Sequence, residues 1–262
     1  MTFVETVGER EPVIPFRTES WAATDTGAVR KHNEDSYLVA DGSRVWLVAD
    51  GMGGLERGDW ASSQVVEAIA AVPAVEGMED LLEAIRSALT EANERILEES
   101  ERVGKQMGST AVALAVRDKR FGVAWVGDSR AYLLRDRRLY RLTRDHSQVQ
   151  DLVDHGVIDE VAAATHPLRN VLTRAVGVAR PLNVDTMIET LCDEDLLILC
   201  SDGLYGVMGE AAMQDALASQ PFEEAARQMI ARCHELGAPD NITVVGVATA
   251  EVTLVQFGGA EN

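Results

Sequence analysis

Cysteine is scarce in this chain of 262 residues: Cys192, Cys200 and Cys233 stand in apolar surroundings and are too few to suggest a disulfide framework. No Cys/His cluster offers a soft-metal site. Basic residues are also few, with 24 Lys and Arg against 43 Asp and Glu, a formal net charge of −19. Binding to a phosphate backbone needs clustered cations that release counterions, so nucleic acid is excluded as a partner, and an anionic membrane surface is disfavoured. No apolar run approaches the roughly 20 residues of a membrane span. The segment Met1 to Phe16 carries Glu5, Glu9 and Glu11 and lacks a basic region followed by an apolar one, so it does not read as a secretory signal. The expected location is the cytoplasm. Acidity of this kind is most simply a solubility feature.

What is present suits one large globular domain: 46% hydrophobic and 26% charged residues, with no linker-like stretch. We expect a loose segment over 1–17, one domain over 18–257, and a loose end from Gly258. Ser36 to Asp50 reads as a hairpin turning at Asp41-Gly42-Ser43. Ala61, Val65, Ile69 and Val72 recur at helical spacing, as do Leu82, Ile85, Leu89, Ala92 and Ile96 after the break at Pro73 to Gly77. Strand-like runs follow at 110–116, 120–126, 131–134 and 139–142, joined by short turns that imply antiparallel pairing. The polar, helix-prone stretch 147–165, interrupted by His155-Gly156, reads as an excursion from the sheet, a mobile flap. Strands are expected again at 184–190, 195–200 and 242–249, and helices at 210–219 and 222–236. Strand runs separated by helix pairs, without βαβ alternation, predict an α+β fold with antiparallel sheets, two of them face to face with a helix pair outside each.

Five acidic residues scattered along the chain, Asp35, Asp50, Asp128, Asp202 and Asp240, each end an apolar run beside Gly or Asn. The clearest are Val48 to Gly54 and Leu197 to Gly203, where a buried-looking strand delivers one Asp into a glycine turn. Glycine lets a backbone carbonyl approach a cation, and oxygen-only ligands select hard ions such as Mg²⁺ or Mn²⁺.

Taken in order, the segments Thr24 to Ser36, the Asp50 turn, Gly108-Ser109-Thr110, Val126 to Arg130, Leu142 to Ser147, His166 to Asn170, the Asp202 turn and Pro239 to Thr243 carry a resemblance. The chain resembles the bacterial metal-dependent protein phosphatases of the type 2C (PPM) family from about Trp21 to Thr249. That resemblance implies a four-layer αββα sandwich with the strand-end carboxylates converging in a cleft. It also implies Asp50 as the carboxylate shared by two catalytic ions, Mn²⁺ or Mg²⁺, with Asp202 and Asp240 completing one site. Glu34, partly through water, and the Gly51 carbonyl serve the other. Asp128, with Asp202, would hold a weaker third ion, its alternative being a plain turn residue. Asp35 could be a direct ligand, a residue orienting metal waters, or an Asx cap; the outer position is favoured, and Asn241 is placed there too. Arg30 takes the place of the family's phosphate clamp, a task suited to a planar fork of donors.

Two metals about 3.5–4 Å apart activate a water and neutralise phosphoryl oxygens. Met52 stands where eukaryotic relatives carry a general-acid His, and Leu55 where many bacterial members have His. None of His32, His146, His155 and His166 is assured as a replacement. Ser109, Thr110 and Cys200 lack the His-carboxylate support of a covalent nucleophile, so water attacks and no phosphoenzyme forms. The implied function is hydrolysis of phosphoserine and phosphothreonine in proteins by a monomer, opposing a Ser/Thr kinase. A phosphoprotein-binding pseudophosphatase and a small-molecule phosphomonoesterase are the alternatives.

Overall fold

The structure, a computed structural model, describes residues 16–53 and 57–251. The expectations for 1–15, for Leu55 and for the end from Gly258 lie outside these residues. Along the chain run β1 (Phe16–Asp25), β2 (Asp35–Ala40), β3 (Val45–Met52), α1 (Gly58–Ala70), α2 (Met78–Val103), β4 (Gly108–Ser109), β5 (Ala111–Arg117) and β6 (Arg120–Val126). Then follow β7 (Arg130–Arg135), β8 (Arg138–Arg141), α3 (Gln148–Asp154), α4 (Glu160–Ala164), β9 (Asp185–Thr190), β10 (Leu196–Cys200), α5 (Asp202–Met208), α6 (Glu210–Ser219), α7 (Phe222–Glu235) and β11 (Ile242–Glu251).

Two antiparallel sheets result. One orders its strands β1-β11-β10-β7-β8, the other β2-β3-β5-β6-β9, with β4 paired to β3. The period of two along each strand decides which layer a side chain enters. In β5, Val112, Leu114 and Val116 face the space between the sheets, while Ala111, Ala113 and Ala115 face α1 and α2. Alanine on the helix side lets α2 lie close and insert Leu81, Ile85, Leu89 and Ile96. The same division runs through β10, where Leu197 and Leu199 join the middle layer and Leu196, Ile198 and Cys200 pack under α5–α7. Bare backbone serves the same end at Gly246, where a Cβ would come within 2.2 Å of the Phe222 ring. The fold is the expected α+β sandwich.

Two local features differ from expectation. Strand β1 begins at Phe16, inside the segment expected to be loose; Phe16 is buried in the middle layer and β1 pairs with β11 along all ten residues. Helix α5 stands where only a glycine turn was expected, since Gly203 and Gly206 are tolerated inside a helix whose Leu204 is buried. The excursion 147–165 is helical on either side of His155-Gly156, as its sequence suggested, with α3 capped by the Ser147 side chain and α4 by Asp159, outside both sheets.

The arrangement puts β2's start, β3's end, β6's end, β7's start, β10's end and β11's start at one end of the sandwich. The β1–β2 and β6–β7 connections cross from sheet to sheet there. Stability rests on the middle layer. Leu114→Ala, at a fully buried position in that layer, is expected to cost about 2–5 kcal/mol. A urea midpoint unchanged from the parent would contradict that assignment.

Candidate active site

Asp50 and Asp35 are direct cross-strand partners in β3 and β2, so the hairpin sets two carboxylates side by side. The backbone around Asp50 is pinned: its N–H donates to Thr110 Oγ1 at 2.9 Å, and its carbonyl accepts from the Thr110 N–H at 2.8 Å and the Ser109 hydroxyl at 3.1 Å. The next residue must be glycine. A Cβ on Gly51 would lie 2.0 Å from the Gly58 carbonyl oxygen and 2.6 Å from that of Glu34.

Glu34 reaches the start of α1, where its Oε1 accepts from the Gly58 N–H at 3.1 Å. Its own N–H donates to Asn241 Oδ1 at 2.8 Å. The Asn241 amide also donates to the carbonyls of Thr26 and His32 at 2.8 and 3.0 Å. One side chain at the head of β11 therefore holds the whole β1–β2 crossover. That crossover carries Arg30, whose Nη2 donates to Asp240 Oδ2 at 2.6 Å. Asp202 opens α5, and a Cβ on its neighbour Gly203 would sit 1.9 Å from the Asn241 carbonyl oxygen, so the helix start and β11 meet backbone to backbone.

Asp128 sits in the β6–β7 crossover. Its carbonyl accepts from the Tyr205 hydroxyl at 2.9 Å. On either side, Gly127 donates to His146 Nδ1 at 3.1 Å and Ser129 shares a 2.7 Å hydrogen bond with Thr110. Arg130 forks onto Asp145 at 2.9 and 2.7 Å and lies 3.7 Å over the Tyr205 ring. His146 is thus structural, as expected, and Cys200 is core.

A cavity of about 650 Å³ is lined by Arg30, Glu34, Asp50, Gly51, Asp128, Asp202, Asp240 and Asn241 together. Asp35 is not in its lining. It is buried behind the wall, with Oδ2 accepting from the Ser201 hydroxyl at 2.8 Å and Oδ1 without a partner among the described residues. Among the described residues no three His, Cys, Asp or Glu side chains converge as tightly as a finished ligand cage. Asp240, expected as a ligand, lines the cavity and accepts a hydrogen bond from the Arg30 guanidinium at 2.6 Å. No histidine lines the cavity among the described residues, and Met52 does.

The residues fit hard divalent cations. All donors are oxygens, an orphaned carboxylate oxygen lies just behind them, and burial together with repulsion from nearby carboxylates raises the pKa values of Asp35, Asp50, Asp128 and Asp202. Burial, then Asp240 and Asp35, pushes Asp202 up to about 7. Burial pushes Asp35 up to about 6 against the opposing Ser201 and Thr243 hydrogen bonds. Asp50 and Asp128 are raised by burial first and then by neighbouring carboxylates. Divalent cations relieve both costs at once. Sequence reasoning had not singled out Asn241's three-way grip, Ser201, Tyr205 or the Asp240–Arg30 pair. Of these, only Tyr205 left a signal, three residues after Asp202 on what proves to be one helix.

The protein phosphatase 2C family profile matches residues 24–151. The serine/threonine phosphatase stp of Listeria welshimeri is 38% identical over 245 residues, covering 90% of this chain and 96% of that protein. Among solved structures, the Mycobacterium tuberculosis serine/threonine phosphatase PstP/Ppp superimposes with a TM-score of 0.83 at 34% identity, covering 90% of this chain and 99% of that one. The catalytic domain of PstP in complex with two manganese ions gives a TM-score of 0.82 at 32% identity, covering 90% of this chain and all of the other.

A pH dependence follows for the protein kept in chelator. Asp35 and Asp202 have folded pKa values of about 6 and about 7, above their ordinary 3.8. From about pH 4 to pH 7 the folded chain therefore binds more protons than the unfolded chain, and stability falls as pH rises through that window. His146, held below its ordinary 6.5 by burial and then by Arg174, works in the opposite sense inside this window, but it is one group against several raised carboxylates, and Glu99, at about 2, has its full effect above about pH 5. Thermal unfolding in chelator should show a higher midpoint near pH 5.5 than near pH 8, with Mn²⁺ flattening the difference. A midpoint rising steadily with pH in chelator would contradict the electrostatic picture.

Proposed function

The chain belongs to the protein phosphatase 2C family and is a metal-dependent serine/threonine protein phosphatase, and within that activity we propose the following division of labour among its residues. The single observation that carries it is the one cavity lined jointly by Arg30, Glu34, Asp50, Asp128, Asp202 and Asp240. Asp50 would hold two divalent ions together with Asp202 and Asp240 on one side and Glu34 and the Gly51 carbonyl on the other. Asp128, with Asp202, would hold a weaker third. Four carboxylates against two divalent charges leave the main pair near neutrality, so the phosphate dianion is not repelled. When bound, Mn²⁺ or Mg²⁺ supplies Lewis-acid charge to the phosphoryl group and makes water more acidic.

The rest of the work falls to the protein. Arg30 exchanges Asp240 for the substrate phosphate, offering its planar fork to two phosphoryl oxygens. Asp35, with one oxygen on Ser201 and one unspent, orients water behind the ligands, and Asn241 holds the Arg30–Glu34 crossover in register. None of Ser109, Thr110 and Cys200 is available for covalent attack. The Ser109 hydroxyl is bonded to the Asp50 and Thr110 carbonyls, the Thr110 hydroxyl to Ser129 and the Asp50 N–H, and burial pushes the Cys200 thiol up. With Met52 in place of an acid, the leaving alkoxide takes its proton from water. Phosphoserine and phosphothreonine are made by protein kinases, so a Ser/Thr kinase is the class of enzyme that supplies this substrate.

Chelation should abolish phosphate release from phosphothreonine peptides and Mn²⁺ should restore it. Asp202→Ala is expected to lower kcat by several orders of magnitude. Phosphopeptide binding without any release in saturating Mn²⁺ would instead make the protein a binding module. Arg30→Ala should raise KM for phosphopeptides roughly ten- to hundredfold, the equivalent of losing charge-assisted hydrogen bonds, while calorimetric Mn²⁺ affinity stays near the parent value. A lost metal site with unchanged KM would reassign Arg30.

A further inference from the structure

Part of the cavity lining is aliphatic: Met52 at the end of β3, and Val171 and Val178 from the connection between α4 and β9. Val171 and Val178 are 36% and 38% exposed and share the cavity lining with Leu172, Met107 and five carboxylates. Met52 and Val178 meet over bare backbone at Gly108, where a Cβ would lie 3.0 Å from Val178 Cγ2 and 3.6 Å from Met52 Cε.

Although it has no regular secondary structure, this connection is fastened from below. Asn93, fully buried on α2, accepts from the Gly177 N–H at 2.7 Å and donates to the Ala179 carbonyl at 3.1 Å. Val176 and Ser109 exchange two backbone hydrogen bonds of 2.8 and 2.9 Å. Gly177 has φ +87, and a Cβ there would lie 2.1 Å from Ile96 Cγ2, so the loop rests directly on α2. Val171 is held separately, its carbonyl accepting from the Gln148 N–H at 2.9 Å and its N–H donating to the Leu168 carbonyl at 3.0 Å. Exposed aliphatic groups on backbone held in this way lose little further entropy when covered, which is what a preformed recognition surface requires. Arg174, the other guanidinium of the lining besides Arg30, is already engaged by Asp185 at 2.7 Å, so it is not free to favour an acidic neighbour.

We propose that Met52, Val171 and Val178 form a shelf selecting phosphoproteins whose phosphoserine or phosphothreonine is flanked by a large aliphatic residue. The inference rests on the phosphatase reading above. An extended peptide advances about 3.3–3.6 Å per residue, so a residue two places from the phosphorylated one lies about as far away as Met52 lies from Asp50, and a large neighbour one place away reaches part of that distance with its side chain. With its phosphate at Arg30 and the carboxylates, the peptide lays that neighbour on the shelf.

The test uses the full chain with Mn²⁺ and three phosphothreonine peptides of equal length, flanked on both sides by Ala, Leu or Lys, with p-nitrophenyl phosphate run in parallel. The parent should favour Leu over Ala by about tenfold in kcat/KM, the scale of discrimination a small apolar contact gives, and should disfavour Lys. Val178→Asp and, independently, Val171→Asp should bring the Leu-to-Ala ratio close to one. Because the readout is a ratio within each protein, a partial loss of folded enzyme does not mimic it. A parent ratio near one, or a preference surviving both substitutions, overturns the shelf. If p-nitrophenyl phosphate is hydrolysed but no phosphopeptide is, the protein-substrate reading falls and the shelf falls with it.

Discussion

Mutual repulsion among buried carboxylates is the constraint around which this molecule is organised. Asp35 and Asp50 face each other across one strand pair, and Asp128, Asp202 and Asp240 act on the same cluster. Isolated burial of a single charge is already unfavourable, and like charges compound it. Such a cluster persists only if the backbone holding it has nowhere to go. The sandwich meets that requirement by delivering the acids from strand ends whose other residues are committed to three apolar layers. Moving one carboxylate away would mean sliding a strand, and a one-residue slip would turn every apolar side chain of that strand to the wrong layer.

Polar contacts around the acids finish what the layers begin. Thr110 holds Asp50 and Ser129 together, which joins β3 to the β6–β7 crossover. Ser201 donates to Asp35 and accepts from the Thr243 N–H, which ties β2 in one sheet to β10 and β11 in the other. Asn241 then binds the remaining crossover through three backbone groups. Most of these bonds engage backbone on one side, and the two that join side chains, Thr110–Ser129 and Ser201–Asp35, are buried, so the carboxylates stay at the cavity while their carriers are fixed. The pair Arg30–Asp240 differs, being side chain to side chain and half-exposed. An exposed pair of this kind is worth little net energy and can exchange partners readily. The mobile charge of the site is therefore at its open edge, where phosphate arrives.

Much of this was legible in the sequence because its causes are local. The alternation of Ala with Val and Leu through Ala111 to Val116, and the unbroken apolar run at Leu196 to Cys200, declared buried strands and their ends at Thr110 and Ser201. The acids themselves stood out against those runs. What was not legible has non-local causes. Strand β1 reads as a mixed polar stretch, and only pairing with β11 across more than 200 residues makes Phe16 core. Helix α5 was hidden by two glycines, one of which is there because Gly203 must let the Asn241 backbone approach. The encounter of Arg30 with Asp240, 210 residues apart, has no trace in either neighbourhood.

The same separation of rigid carrier from exposed working group explains how a site built for one anion can still discriminate among proteins. Phosphate recognition by carboxylate-held cations and one guanidinium is blind to the polypeptide attached. Discrimination must come from surface that is fixed relative to those acids yet lies outside them. The loop carrying Val171 and Val178 satisfies both conditions, because it is joined through Val176 to Ser109, whose hydroxyl bonds the Asp50 carbonyl. Met52 belongs to the same rigid body, two residues from Asp50 on β3. A thioether at that position gives the cavity an apolar wall and no proton donor. On the shelf proposed above, the position bears on which neighbours of the phosphorylated residue are accepted.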